Sequence, residues 1–194
     1  MAPKIYFLSG TPGTGKTSAA KLLTEKGFFV ISIGDIVIQK NLFLSEDKER
    51  DTKIIDIEKI NVYFSKFLTN ISKPTILESH YSDIINSSCE LAIILRCHPE
   101  VLENRLQSRG YSIDKIRENL HAELLGDSTS HMLERDDLVK KGTIFEIDTS
   151  DISVEETANK ILEIIQKPRN FQNLKAGWLS WLSDPTVQIE KYLD

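Results

Sequence analysis

Gly10-Thr11-Pro12-Gly13-Thr14-Gly15-Lys16-Thr17 places three glycines ahead of a lysine and a hydroxyl. The run matches G-x-x-x-x-G-K-[ST], a pattern whose chemistry is the cradling of a polyphosphate. Backbone N–H groups of such a loop, with the N-terminus of the helix behind it, surround the anion and offset its charge. Lys16 then reaches the β and γ phosphates, and the Thr17 hydroxyl ligates Mg²⁺. Gly10, Pro12, Gly13, Thr14, Gly15, Lys16, Thr17 and Ser18 are therefore the residues expected to bind a nucleoside triphosphate.

The flanking sequence supplies the elements such a loop needs. Lys4–Leu8 is short, apolar and rich in aromatic and β-branched residues, as a buried parallel strand is. Ser18–Lys26 is made of good helix formers, and Gly27 stops it. Further strands are expected at Phe28–Ile33, Thr75–Glu78, Leu91–Arg96 and Thr143–Ile147. Strands alternating with helices predict a parallel sheet covered on both faces.

The bulk numbers narrow the class. With 194 residues the chain fits one α/β domain, and its formal charge of −5 gives no bulk electrostatic footprint for nucleic acid. No direct DNA binding is expected. Cys89 and Cys97 lack the spacing of a zinc site and read as reduced, buried thiols. No apolar run approaches the ~20 residues of a membrane span, and Met1-Ala2-Pro3-Lys4 leads directly into the first strand. The expected location is cytoplasmic, with the nucleus open for a eukaryotic source.

Between the second and third strands, helices are expected at Asp35–Asn41 and Ile57–Leu68, the latter with Ile57, Ile60, Phe64, Phe67 and Leu68 near a 3.6-residue period. The charge run Glu46–Lys53 between them reads as a solvated surface, compatible with a mobile acceptor-binding excursion. After the fourth strand, Arg105 and Arg109 share one helical face at i, i+4. Ser112 is placed to cap the next helix, with Ile113, Ile116, Leu120 and Leu124 as its apolar stripe. A final amphipathic helix is expected over Val154–Ile165, and a short one from Ser183-Asp184-Pro185 to Leu193. Trp178 and Trp181 lie beyond Pro168, on a tail that either packs onto the domain or presents a partner surface.

No Asn-Lys-x-Asp motif follows the fourth or fifth strand, which argues against a Ras-like GTPase. Arginines beyond the fourth strand instead suit a lid that closes over a migrating phosphoryl group. Taken together, the glycine loop, Gly34-Asp35, Glu78-Ser79-His80, Arg105-x-x-x-Arg109-Gly110-Tyr111 and Asn119-x-x-x-Glu123 resemble the small atypical adenylate kinases that double as ATPase factors in small ribosomal subunit assembly. The resemblance covers roughly residues 4–166.

That resemblance implies an α/β P-loop NTPase fold with a five-stranded parallel sheet in the order 2-3-1-4-5. It implies a kinase domain over 1–166, with an AMP-binding excursion at about 34–70 and a zinc-free lid at about 108–118, followed by an appendage over 167–194. The ligands it implies are ATP, Mg²⁺ and AMP, and the partners a platform ribosomal protein and the pre-ribosomal small subunit. Catalysis falls to Lys16, Glu78, His80, Arg105 and Arg109, with Arg109 also holding ATP; Thr17 and Glu78 serve the metal; Gly34, Asp35, Lys40 and His80 serve AMP. Two positions depart from the family: Glu78 stands where many members carry Asp, and Ile38 where many carry an acceptor-gripping arginine. Lys40, Arg50 and Arg105 are the substitutes within reach. Three readings stay open: an adenylate kinase, an assembly ATPase with incidental kinase turnover, and a kinase for another small acceptor.

Overall fold

The structure, a computed structural model, describes residues 4–47, 52–80 and 84–192. β1 (Ile5–Ser9) alternates its side chains between two cores, as a strand buried on both faces must. Ile5 and Phe7 enter one core, and Tyr6 and Leu8 the other. α1 (Lys16–Glu25), β2 (Phe29–Ser32), α2 (Ile33–Gln39), α3 (Ile57–Thr69), β5 (Thr75–Glu78), β6 (Leu91–Arg96) and β7 (Ile144–Asp148) follow the expected alternation with ends within two residues; α1 begins two residues early, and α2 both begins and ends two residues early. Ser32 causes the early start: its hydroxyl caps α2 by accepting from the Asp35 N–H.

The main sheet is ordered β2-β5-β1-β6-β7 with every pairing parallel. Counted along the main sheet alone, this is the expected 2-3-1-4-5 order. Buried residues of α2 and α3 cover one face, with Ile60, Phe64 and Leu68 against Phe7 and Leu77. α1 and α8 (Val154–Gln166) cover the other, bringing Ala19, Leu23, Ala158 and Ile161 against Leu8, Ile93 and Ile147. A full capping box at Ser153 and Glu156 starts α8.

Several elements differ from the sequence reading. The charge run is the ribbon β3 (Phe43–Asp47) and β4 (Thr52–Ile55), an antiparallel pair outside the main sheet. Beyond α4 (Pro99–Ser108) and α5 (Ile113–Leu125), two short helices intervene, α6 (Asp127–Leu133) and α7 (Asp136–Lys141). Ser112 caps α5 as expected, its hydroxyl accepting from the Lys115 N–H.

The tail forms 3-10 turns at Pro168–Leu174, Trp181–Ser183 and Ile189–Tyr192 rather than the expected helix, whose end at Leu193 lies outside the described residues. The Ala176 N–H donates to the Ile144 carbonyl at 3.0 Å, so the tail lies along the outer edge of β7. Trp181 is 2% exposed and packs with Leu102, Leu106, Leu120 and Leu124 of α4 and α5, whereas Trp178 is 46% exposed. The tail thus closes a third core rather than hanging off a finished domain. Trp181→Ala is expected to cost about 3–5 kcal/mol in chemical unfolding. A loss under about 1 kcal/mol would place the tail outside the cooperative fold.

Candidate functional site

Parallel strands end together, and the loop leaving β1 turns at that edge, where ligands of such sheets bind. Its glycines answer to space as well as conformation. Gly10, at φ 138°, passes so close to β6 that a Cβ would stand 2.3 Å from the Leu95 carbonyl oxygen. Gly13, at φ 97°, lies under α4, where a Cβ would meet Leu102 Cδ1 at 2.6 Å. Gly15 is different: it caps α1 with no side-chain bond and only open space before its Cβ direction. The first-turn N–H groups of α1 are therefore left for an anion.

Thr11 and Thr14 hold this loop in shape. The Thr14 N–H and hydroxyl both donate to the Thr11 carbonyl, at 3.2 and 2.8 Å. The Thr149 hydroxyl, just past β7, donates to the Thr14 carbonyl at 2.9 Å. Lys16 is buried, its ammonium donating to the carbonyls of Gly10 at 2.5 Å and Thr11 at 3.1 Å. Burial pulls its pKa down to about 8; Glu78 and Glu123 oppose the shift, and Arg109 adds to it. Thr17 is exposed and Ser18 half-buried on the first turn of α1.

Glu78 ends β5 and is buried. Desolvation raises its carboxyl above the usual range, with Lys16 pulling it back and Asp35 adding to the rise. The Thr17 hydroxyl and the Glu78 carboxylate are hard oxygen donors, suited to Mg²⁺ that completes its shell with water and phosphate oxygens. No group of three or more His, Cys, Asp or Glu among the described residues forms an all-protein metal cage. His80 lines the cleft beside the loop with an exposed edge. Its crowded surroundings and the Lys16 ammonium both lower its pKa, so the imidazole is neutral near pH 7.

A cleft of about 730 Å³ opens beside the loop, lined by Thr11, Pro12, Gly34, Ile38 and His80 and closed opposite by Tyr111 and Asn119. Gly34 and His80 thus reach the expected acceptor region. Asp35 is on the same helix but does not line the cleft, and Lys40 is the exposed C-cap of α2, turned out of it. Arg50 lies outside the described residues. Lysines that do line the cleft are Lys53 on β4 and Lys115 on α5. Sequence reading missed both, because neither has motif context and Lys53 sits in what looked like a solvated charge run.

The arginine pair is divided. Arg105 donates to the Thr149 carbonyl at 2.7 Å and the Thr149 hydroxyl at 3.3 Å, with further contacts to Cys97 Sγ and the Ser150 carbonyl. These contacts brace the exit of β7, while Arg109 makes no such contact there. Arg109 is the exposed C-cap of α4, and its charge is felt at Lys16. Glu123, given no role in the sequence reading, accepts from the Thr11 hydroxyl at 2.5 Å. Its place in Asn119-x-x-x-Glu123, among the apolar positions of α5, was the available signal.

Comparison with known proteins accords with this geometry. A family model described as an AAA domain matches residues 7–126. A protein named "Putative adenylate kinase" from Methanococcus maripaludis is 35% identical over 192 residues, spanning 96% of this chain and 99% of that protein. One of the same name from Methanothermobacter thermautotrophicus is 37% identical over 175 residues, spanning 90% and 97%. Among solved structures, thymidylate kinase from Candida albicans superposes with a TM-score of 0.54 at 16% identity, covering 87% of this chain and 93% of that one. TT1252 from Thermus thermophilus gives 0.59 at 13% identity, covering 87% and 98%. At those identities the structural matches speak to fold alone.

Arg105 and Arg109 should separate experimentally. Arg105→Ala is expected to lower the melting temperature by several degrees, through loss of charge-assisted bonds to the β7 exit. Arg109→Ala should leave melting unchanged and slow phosphoryl transfer on the order of 10²-fold or more. Equal effects of the two on turnover, with melting untouched, would support a paired lid.

Proposed function

This chain belongs to the archaeal adenylate-kinase-like family of P-loop proteins, and on that premise we propose that it transfers the γ-phosphoryl group of Mg·ATP to AMP, giving two ADP. The observation that carries this reading is a complete phosphate loop opening directly onto a cleft whose lining includes Lys53 and Lys115 as well as Glu118 and Asp127. Two phosphate-bearing substrates then lie side by side, with the acceptor in line for the donor.

The chain's own groups divide the work. N–H groups of the Gly13–Thr17 stretch hold the β-phosphate against the positive end of α1. Lys16 exchanges the Gly10 and Thr11 carbonyls for β and γ oxygens, where its charge rises in value as the bridging bond breaks. Thr17 and Glu78 would hold Mg²⁺, which would supply charge neutralisation for the phosphates. Arg109 swings in from the α4 end to meet the transferring phosphoryl. An AMP phosphate oxygen attacks the γ phosphorus, and the bond to the β–γ bridging oxygen breaks toward ADP. Neutral His80 orients the acceptor phosphate or, with the cleft open, a water, which would give slow ATP hydrolysis.

Several finer readings have narrower support. AMP as acceptor rests on the named relatives and the motif resemblance, and a cytoplasmic location on the composition. No helix among the described residues is long and apolar enough to cross a membrane. A role in small-subunit maturation rests on the motif resemblance, and ATP-dependent copurification of a basic ribosomal protein tests it.

A coupled assay over a panel of nucleoside monophosphates decides the acceptor, and AMP is expected to give the highest kcat/KM. Turnover of another acceptor in its place would reassign the cleft. Lys16→Ala should abolish both transfer and hydrolysis, since no other described cation reaches the loop carbonyls. Single-turnover rates within a few-fold of the native enzyme would remove the loop from the mechanism.

The acceptor site gives a second test. Ile38 faces the cleft where a fork-shaped cation would grip a phosphate, and the lysines present are point charges. Ile38→Arg is expected to lower the Michaelis constant for AMP roughly tenfold, equivalent to about 1–2 kcal/mol of charge-assisted bonding. Low-micromolar saturation of the native enzyme, unchanged by Ile38→Arg, would place the acceptor phosphate elsewhere.

A further inference from the structure

Beneath the phosphate loop lies a buried charge cluster that phosphoryl transfer does not use directly. Arg96, at the end of β6, is 2% exposed, and its partners Glu123 and Glu146 are both 0% exposed. Arg96 Nε donates to Glu123 Oε1 and Arg96 Nη1 to Glu146 Oε1, each at 2.7 Å. Glu123 Oε1 also accepts from the Cys97 N–H at 3.1 Å and from the Trp181 indole N–H at 2.9 Å. Its other oxygen, Oε2, accepts from the Thr11 hydroxyl at 2.5 Å. One carboxylate therefore joins a loop residue 112 positions before it to a tail residue 58 positions after it.

Thr11 is a sensitive place to be held. Its carbonyl is the acceptor shared by the Thr14 N–H, the Thr14 hydroxyl and the Lys16 ammonium. A small rotation of Thr11 alters the seat of the lysine and the curvature of the loop together. The indole N–H of Trp181 supplies one of the donors that keep Glu123 in place, and a buried carboxylate that loses a donor moves to find another. Gly177 donates its N–H to Glu146 Oε2 at 2.8 Å, so the tail grips both carboxylates of the cluster.

We propose that Glu123 and Trp181 are positioning residues for the nucleotide loop: the carboxylate sets Thr11, and the tail's indole sets the carboxylate. The C-terminal tail is then part of the frame of the ATP site, although no tail residue lines it. This rests on the reading of Gly10–Thr17 as the nucleotide loop, and the coupling is reciprocal, so nucleotide bound in the loop tightens the indole bond.

A double-mutant cycle between Thr11 and Trp181, read as ADP affinity by calorimetry, tests it. Trp181→Phe keeps an aromatic ring but removes the N–H together with the five-membered ring, so the coupling between the two sites, not the single effect alone, isolates the hydrogen bond; Thr11→Val removes the hydroxyl at near-constant shape. Each is expected to weaken ADP binding three- to tenfold, the scale of one supporting hydrogen bond. The double variant should be no more than about twofold worse than the weaker single, and Thr11→Ser should recover most of the affinity.

Multiplying effects, or native affinity in Trp181→Phe, would overturn the coupling while leaving the nucleotide loop standing. Failure of the native protein to bind ADP would overturn the loop reading and this proposal with it. Should Trp181→Phe not fold, Trp178→Phe leaves Trp181 as the chain's only tryptophan and its fluorescence as the probe. Its emission is expected to change on ADP saturation and to stay constant when Thr11→Val is added. An ADP-insensitive Trp181, or a response that survives Thr11→Val, would overturn the proposal.

Discussion

A guanidinium cannot shed its proton to escape burial, so Arg96 must find its compensation inside the protein. That requirement ties together elements far apart in the chain. Nε reaches α5 through Glu123, Nη1 reaches β7 through Glu146, and Nη2 reaches the Glu123 carbonyl near the end of α5. Thr129 of α6 completes the ring by donating to Glu146 at 2.6 Å. Two carboxylates face one guanidinium, and the surplus negative charge is stabilised by neutral donors from the loop, the β6 exit and the tail. Such a cluster adds little net stability over an apolar one, but loss of any partner leaves a buried charge exposed to its own desolvation. Its effect is to allow one arrangement of α5, β6, β7 and the tail. The phosphate loop is built against that arrangement, since Gly10 passes within Cβ-clash distance of the residue preceding Arg96.

The two halves of the proposed reaction site are held by different physics. On the donor side, backbone geometry does the positioning: glycines at positive φ, a helix N-terminus without a side-chain cap, and threonine bonds that close the loop. Nothing there relies on a long flexible side chain except Lys16, whose ammonium is already fixed by two carbonyls. On the acceptor side, the walls come from α2, the β3–β4 ribbon and the start of α5. The ribbon hydrogen-bonds only to itself among the described strands, and its Leu44 and Ile54 are exposed. A ribbon anchored to the core only by Phe43 and Ile55 can move as an acceptor binds, which fits the proposed transfer site.

This division also explains what the sequence revealed. The loop was legible because its chemistry is written in contiguous residues, and the main strands because burial on both faces demands continuous apolar runs such as Leu91–Leu95. The β3–β4 ribbon was not, since Ser45, Glu46 and Asp47 carry no apolar period and only its ends, Phe43 and Ile55, pack against the core. Asp127–Leu133 is helical with Ser128, Thr129 and Ser130 in its middle, against local preference, because Met132 and Thr129 are drawn into the interior. Glu123 stood in the Asn119-x-x-x-Glu123 motif without an assigned role, and Trp181 on a tail that either packs or presents a surface. Their roles come from contacts 58 and 112 residues away in sequence, which no local pattern encodes.

The arginine pair shows that spacing on a helix does not by itself fix what each side chain meets. An i, i+4 relation fixes the side of the helix, not the distance each side chain has left to travel. Arg105 lies within α4 and meets the β7 exit immediately, so its charge is consumed by Thr149, Ser150 and Cys97. Arg109 is the cap, followed by Gly110 at φ 73°, where the chain turns away toward Ser112 and α5. That turn gives Arg109 a pivot that Arg105 lacks. A braced arginine keeps the floor of the site in shape, and one on a pivot can arrive when charge develops. A site for phosphoryl transfer needs both, because stabilising the transition state more than the bound substrate requires a rigid frame and at least one late contact.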